Sequence, residues 1–194
     1  MTQLNPPVRL AKESDAAELA DLVNYAGEGL PLHVWTGLAT KGQDPWEVGR
    51  ARQARQAQKG RVFVVDHGRG AVAGMTGYKI GPTPVSIDKG FPRLFRPLQE
   101  LENQALDTWY VNVLACYPEH RGQGLGGLLL DLAEEVAQEE GLSKTSLIVA
   151  SNNKGAQRLY ERKGYREITV TRCLKEDWET DTENWVLMTK QLRL

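Results

Sequence analysis

The sequence predicts a mixed α/β fold: a largely antiparallel sheet, flanked by helices, with one parallel strand pair. Three observations carry this. Apolar residues at helical spacing open the chain, two strand-like runs flank a short HGRG turn, and from residue 109 onward strand and helix signals alternate. The unit 109–150 reads as strand, helix, strand. Such a unit needs a crossover, so the strands 109–116 and 146–150 are expected to lie parallel or nearly so.

Val8–Leu10 follows the Pro6-Pro7 break as a short strand. SDAAELADLVNYA then places Ala16, Leu19, Ala20 and Val23 on one helical face, with Ser14 or Asp15 as the cap. Asp44, Pro45 and Glu47 take the N-cap, N1 and N3 positions of a second helix, which Gly60 ends. The segment between these helices, punctuated by glycine and proline, yields no assignment. RVFVVD (61–66) and AVAGMTGYKI (71–80) read as an antiparallel hairpin. Residues 81–98 hold four prolines and no clear period, which predicts a long surface loop. WYVNVLAC (109–116) is a β-branched and aromatic strand. From Leu125 to Glu140 a helix presents Leu125, Leu128, Leu129, Leu132, Val136 and Ala137 on one face, and Gly141 closes it. SLIVA (146–150) is a short apolar strand, SNNKGAQRLYERKG a helix stopped by Gly164, and YREITVTRC a strand. KEDWETDTEN is a polar connector, and WVLMTKQL (185–192) a last strand.

Bulk properties narrow the function. With 194 residues, 41% hydrophobic and 25% charged, the chain suits one soluble globular domain over 1–194. Lys and Arg number 24 against 25 Asp and Glu, so no basic excess marks nucleic acid as the main partner. The opening MTQLNPPVRLAKESD is too polar and proline-rich for a signal peptide. No apolar run approaches membrane-spanning length, so no membrane association is expected. Cys116 and Cys173 lie far apart in no metal-like spacing, which predicts a reduced, cytoplasmic protein without a metal site.

The stretch YPEHRGQGLGG (117–127) carries the chemistry. Four glycines within 122–127 follow Arg121 at the start of a helix. Backbone N–H groups there point outward, the helix dipole favours negative charge, and Arg121 adds a fixed cation, which together describe an anion cradle. Gly122, Gly124 and Gly127 formally match G-x-G-x-x-G, but the context of a dinucleotide site is missing. Tyr117-Pro118-Glu119-His120 intervene after the strand, more than half the chain precedes the match, and the region where a ribose carboxylate belongs reads TSLIVASNN. A P-loop is excluded because no Gly-Lys-Ser/Thr follows.

VLACYPEHRGQGLG resembles the acetyl-CoA-binding motif of the GNAT N-acetyltransferase superfamily, with Arg121-Gly122-Gln123-Gly124-Leu125-Gly126 matching it position by position. A second segment agrees: Asn153, Ala156, Leu159, Tyr160, Gly164 and Tyr165 match the family's N-x-x-A-x-x-L-Y-x-x-x-G-F element, with Tyr in place of Phe. The likeness is strong over about 109–166 and looser from Val8 onward. It implies a GNAT-like fold whose parallel pair is splayed, with acetyl-CoA as cosubstrate in the gap. By this resemblance Leu114, Ala115 and Cys116 offer backbone groups to the pantetheine arm, one of them facing the thioester carbonyl. The backbone of Arg121, Gly122, Gln123, Gly124, Leu125 and Gly126 holds the pyrophosphate. Asn153 bonds the pantetheine or caps its helix, and Tyr160 protonates the departing thiolate.

The resemblance implies an N-acetyltransferase acting on a primary amine of a small molecule or peptide by direct attack in a ternary complex; a homodimer is left open. A non-catalytic acetyl-CoA-binding sensor or scaffold is the alternative, and a nucleotide-dependent oxidoreductase fails the context tests above. The chain departs from many relatives at Tyr110, where they carry a glutamate that serves as base. Glu100, Glu102, Asp107 and His33 are the remaining candidates, beside a water chain to a distant group or an amine delivered already neutral. The acceptor is not encoded in any recognisable motif.

Overall fold

The computed structural model describes residues 4–193. Along the chain run β1 (Val8–Leu10), α1 (Ala16–Ala26), α2 (Leu30–Leu38), α3 (Pro45–Gln58), β2 (Val62–Asp66), β3 (Ala71–Ile80) and α4 (Arg96–Glu102). Then come β4 (Thr108–Cys116), α5 (Leu125–Glu139), β5 (Lys144–Ala150), α6 (Lys154–Arg162), β6 (Arg166–Arg172) and β7 (Asn184–Gln191). The seven strands form one sheet in the order β1-β2-β3-β4-β5-β7-β6. Neighbours β1–β2, β2–β3, β5–β7 and β6–β7 are antiparallel, while β4 and β5 are parallel, as the crossover through α5 requires. The chain divides into two compact units. One joins residues 4–77 with Val113–Leu129; the other joins Tyr78–Asn112 with residues 130–193.

In the first unit, Leu19 of α1 and Ala57 of α3 pack on Val62, Val64 and Ala71 of the hairpin, all buried. Burial of Leu19, Val62 and Val64 contributes roughly 1.5–3 kcal/mol each. Asp15 sits at the N-cap position of α1, but its carboxylate does not cap that helix. It closes a 3-10 turn (Glu13–Asp15) instead, accepting the Lys12 N–H at 2.7 Å and both Arg9 Nη groups at 2.7 and 2.8 Å. Arg9 also donates to Asp66 Oδ2 from Nε at 3.0 Å and Nη2 at 2.8 Å. The other oxygen of Asp66 accepts the amides of Gly68, Arg69 and Gly70 at 2.7, 3.1 and 3.1 Å, which shapes the HGRG turn.

The Arg9 guanidinium holds both carboxyls below their ordinary range, Asp66 at about 2. An Asp in an unfolded chain titrates near ~3.9, so the stabilisation is present above that value and is lost as pH falls toward the folded one. Asp66→Asn is therefore expected to lower the urea midpoint at neutral pH and to flatten its decline between about pH 4 and pH 2. An unchanged acid slope would remove Asp66 from this account.

The helix starting at Asp44 forms as read, with the Asp44 carboxylate accepting the Trp46 N–H at 3.0 Å and Pro45 in the first turn. The unassigned segment before it contains α2. Pro31 sits in its first turn, where no intrahelical donor is lost, and Asn24 Oδ1 accepts the Leu32 N–H at 3.0 Å. Trp35 of α2 lies against Gly49 of α3: a Cβ on Gly49 would fall 2.5 Å from Trp35 Cζ3. Glycine in mid-helix costs about 1 kcal/mol in propensity, and here it makes room for the indole.

In the second unit, the β4–β5 ladder pairs Trp109 with Thr145, Tyr110 with Ser146 and Val111 with Leu147. A buried Thr108–Ser146 hydroxyl pair at 2.6 Å fixes this register. The predicted loop is shorter than 81–98: irregular chain gives way to a 3-10 turn at Arg93–Phe95 and then to α4, which tolerates Pro97 in its first turn. Asn103, just past α4, clasps the loop by accepting the Val85 N–H and donating to the Val85 carbonyl, both at 2.8 Å. Trp185–Met188 of β7 are buried in succession because β5 and β6 flank the strand, whereas Ile168 and Val170 on the edge strand β6 are exposed.

On α5 the buried set is Leu125, Leu129, Leu130, Leu132, Ala133, Val136 and Ala137; Leu128, expected inside, is exposed. The run LLL leaves the period ambiguous by one residue, and packing selects Leu130. Gly141 (φ +72°) ends the helix with bonds from its own N–H to Gln138 O and from the Leu142 N–H to Ala137 O.

Candidate active site

In the first unit, β4 ends with Leu114, Ala115 and Cys116, all half-buried. Burial pushes the Cys116 thiol up, more than nearby Arg121 draws it down, so at neutral pH this sulfur is a poor nucleophile. Tyr117 then anchors the turn that follows. Its N–H donates to Val72 O at 3.0 Å, and its hydroxyl donates to Asp21 Oδ2 of α1 at 2.7 Å, with the Tyr25 ring edge-on at 5.9 Å. Burial and the Asp21 carboxylate both push the Tyr117 phenol up, so it stays a hydrogen-bond donor.

A 3-10 turn (Pro118–His120) delivers Arg121, whose side chain is exposed and whose own N–H is committed to Pro118 O at 3.2 Å. Gly122 and Gly124 follow at φ +76° and +83°, with exposed Gln123 between them. Leu125 opens α5, and the first helical bond runs from the Leu128 N–H to Gly124 O at 3.0 Å. The amides of Leu125, Gly126 and Gly127 therefore precede any intrahelical acceptor and stand at the positive end of the helix dipole. With the Arg121 guanidinium alongside, this turn is built for a phosphate-bearing ligand.

In the second unit, Asn153 caps α6, its side-chain oxygen accepting the Ala156 N–H at 3.1 Å, a bond worth about 1 kcal/mol. Tyr160 lies two turns on, buried at 7% exposure, its ring 6.1 Å from that of Tyr165. The helix stops where Gly164 takes φ +90° and the Tyr165 N–H bonds Tyr160 O at 3.0 Å.

The group around Tyr110 is not legible in the sequence. This buried ring of β4 packs edge-on against Tyr78 of β3 at 5.2 Å, and the Tyr78 hydroxyl donates to Glu102 Oε2 of α4 at 3.0 Å. Burial raises the Glu102 carboxyl above its ordinary range, outweighing the Tyr78 and Gln99 hydrogen bonds that lower it. Burial first, then Glu102, Tyr78 and Tyr160, push the Tyr110 phenol far up. Glu100 and Asp107, the neighbouring carboxylates considered with Glu102, are exposed, and His33 is half-buried on α2. Nothing in the sequence links Tyr78 to Glu102; only the strand and the helix bring them together.

A mixed sheet with a parallel pair, and a glycine turn that presents helix amides beside an arginine, define an α/β fold. Comparison with known proteins names the class. The sequence profile of the Acetyltransferase (GNAT) family matches residues 32–165, and the chain belongs to that family. It is 28% identical over 169 residues, 86% of its length and 95% of the relative's, to the uncharacterized N-acetyltransferase YhfO of Bacillus subtilis (strain 168). It is 38% identical over 67 residues to thialysine N-epsilon-acetyltransferase of Sus scrofa, a match covering 32% of this chain and 39% of that relative. Among solved structures, a mosquito arylalkylamine N-acetyltransferase like 5b superposes with a TM-score of 0.66 at 17% identity, over 95% of this chain and 99% of that one. That likeness is one of fold.

The chain spans about two fifths of the length of the thialysine N-epsilon-acetyltransferases it matches, and the GNAT family uses acetyl-CoA as cosubstrate. Among the described residues, no group of three or more His, Cys, Asp or Glu side chains is placed to hold a metal, and no helix is long and apolar enough to cross a membrane.

Proposed function

We propose that this chain transfers the acetyl group of acetyl-CoA to a primary amine by direct attack, without a covalent acyl-enzyme. The observation that carries the reading is the turn Arg121–Gly124 feeding α5, with its two left-handed glycines and outward amides. The amides that open α5, beside the Arg121 guanidinium, hold the pyrophosphate, while the Arg121 N–H itself stays bonded to Pro118 O. Backbone groups of Leu114, Ala115 and Cys116 take the pantetheine arm, and Asn153 serves as cap and pantetheine contact. Tyr160 gives its proton to the CoA thiolate. The raised Cys116 thiol supports direct transfer over a thioester on the enzyme. The reduced cysteines Cys116 and Cys173 support a reducing, cytoplasmic setting.

Calorimetry with acetyl-CoA and with NAD tests the cofactor, followed by CoA-release assays with thialysine, lysine, phenethylamine, an alanyl-initiated peptide and an aminoglycoside. Acetyl-CoA binding with turnover of at least one amine is expected. Tight NAD binding without CoA binding would overturn the reading; acetyl-CoA binding without turnover of any amine would favour a sensor or scaffold.

A further inference from the structure

Acetyl transfer to an ammonium group needs a proton acceptor, and β4 supplies no carboxylate: its buried positions at the start are Thr108, Trp109, Tyr110 and Val111, and Asn112 is exposed. The second unit holds a carboxylate nearby on another element. Tyr78, Tyr110 and Glu102 come from three different elements, with the Tyr78 ring 5.2 Å from Tyr110 and its hydroxyl 3.0 Å from the carboxylate. A half-buried carboxylate bonded to one ring of a packed tyrosine pair suits a primary ammonium, which it attracts by charge while a ring face adds cation–π attraction.

We propose that Glu102, oriented by the Tyr78 hydroxyl, takes the proton from the acceptor's ammonium group before that amine attacks the thioester. The inference rests on the acetyl-transfer reading above. An N–H bond of the ammonium breaks and an O–H bond forms on Glu102. The freed lone pair forms the C–N bond as the C–S bond breaks, and the sulfur leaves with that electron pair. Tyr160 protonates the sulfur, and the nitrogen's second proton restores the phenol through solvent. One proton per turnover passes from Glu102 to solvent, and nothing is oxidised or reduced. Tyr78 is a positioning residue in this scheme, since its hydroxyl donates to Oε2 at 3.0 Å and so orients the carboxylate. A carboxylate whose affinity for protons is raised by burial is a better base than an exposed one.

The surroundings of Glu102 bear on any pH test. Tyr78 and Gln99 are its hydrogen-bonding neighbours, and the Tyr110 ring of β4 packs on Tyr78. The turn before α4 carries Arg93, paired with Glu176 at 3.5 Å. Strands β6 and β7, which also pack on α4, carry Arg166, Glu167, Arg172 and Lys190, the last of these paired with Glu134. On α4 itself Arg96 donates to the carbonyls of Asp88 and Phe91, and Glu100 is exposed.

Glu102→Gln keeps the shape and an acceptor for Tyr78, so the fold is expected to stay intact, checked by an unchanged melting temperature. With each amine of the panel that the wild type acetylates, kcat/KM at pH 7 should fall about 100-fold, while acetyl-CoA affinity is unchanged. The deficit should shrink as pH rises toward the acceptor's own ammonium pKa, near ~10 for an alkylamine, because a neutral amine needs no base. A deficit of constant size across that range would assign Glu102 a structural role, and equal turnover would remove it altogether. Absence of turnover by the wild type with every amine overturns the transfer reading itself, and this inference with it.

Discussion

Gly124→Val should abolish acetyl-CoA binding, with affinity measured by calorimetry falling at least about 100-fold. The reason is conformational. A Cβ at Gly124 would meet nothing within 4 Å, so space is not the constraint; the backbone at φ +83° is. A β-branched residue there costs about 1–2 kcal/mol, and the turn escapes the strain by unwinding. Unwinding redirects the amides that begin α5. Loss of two hydrogen bonds to a charged phosphate, at roughly 1.5–3 kcal/mol each, accounts for the expected fall. Gly60 provides the control: it sits just past α3 at φ +77°, and an added Cβ would again meet nothing within 4 Å. Gly60→Val should cost similar stability and leave acetyl-CoA affinity alone. If Gly124→Val binds acetyl-CoA as the wild type does, the cradle assignment fails.

Tyr160→Phe should lower turnover about 100-fold while acetyl-CoA affinity changes by no more than about threefold, the range expected for loss of a positioned proton donor. Phenylalanine preserves the ring packing beside Tyr165 and the amphipathic face of α6, so the change removes only the hydroxyl. A fall in affinity equal to the fall in turnover would make Tyr160 a binding residue instead. Turnover equal to the wild type would exclude the acid role.

Local signals in the sequence are strong wherever capping and periodicity agree. Asp44-Pro45 at the start of α3, Gly141 after α5 and Asn153 before α6 each write an element boundary into adjacent residues, and the structure follows all three. Two short helices escape a reading of the sequence for a common reason. Pro31 and Pro97 read as breakers, but each falls in a first turn, where the missing N–H is no loss. Ala16, Leu19, Ala20 and Val23 mark the right helix, yet its cap does not follow, because Asp15 has a better partner in Arg9, six residues back. The glycine turn is legible since its logic is local. Its support is not: Tyr117 meets Asp21 across 96 positions, and Tyr78 meets Glu102 across 24. Pairs of that kind are set by sheet order and helix placement, which no window of sequence contains.

The clasp between Asn103 and Val85 has a practical meaning for redesign. A residue adjacent to Glu102 grips the proline-rich loop through the N–H and carbonyl of one residue, so the loop and the end of α4 are mechanically one piece. Grafting a foreign loop over 81–92 to change acceptor preference would carry the carboxylate along with it unless that two-point grip is rebuilt. Transplants that keep an extended residue opposite Asn103 should preserve the alignment; those that place a proline there cannot, since proline offers no N–H to hold.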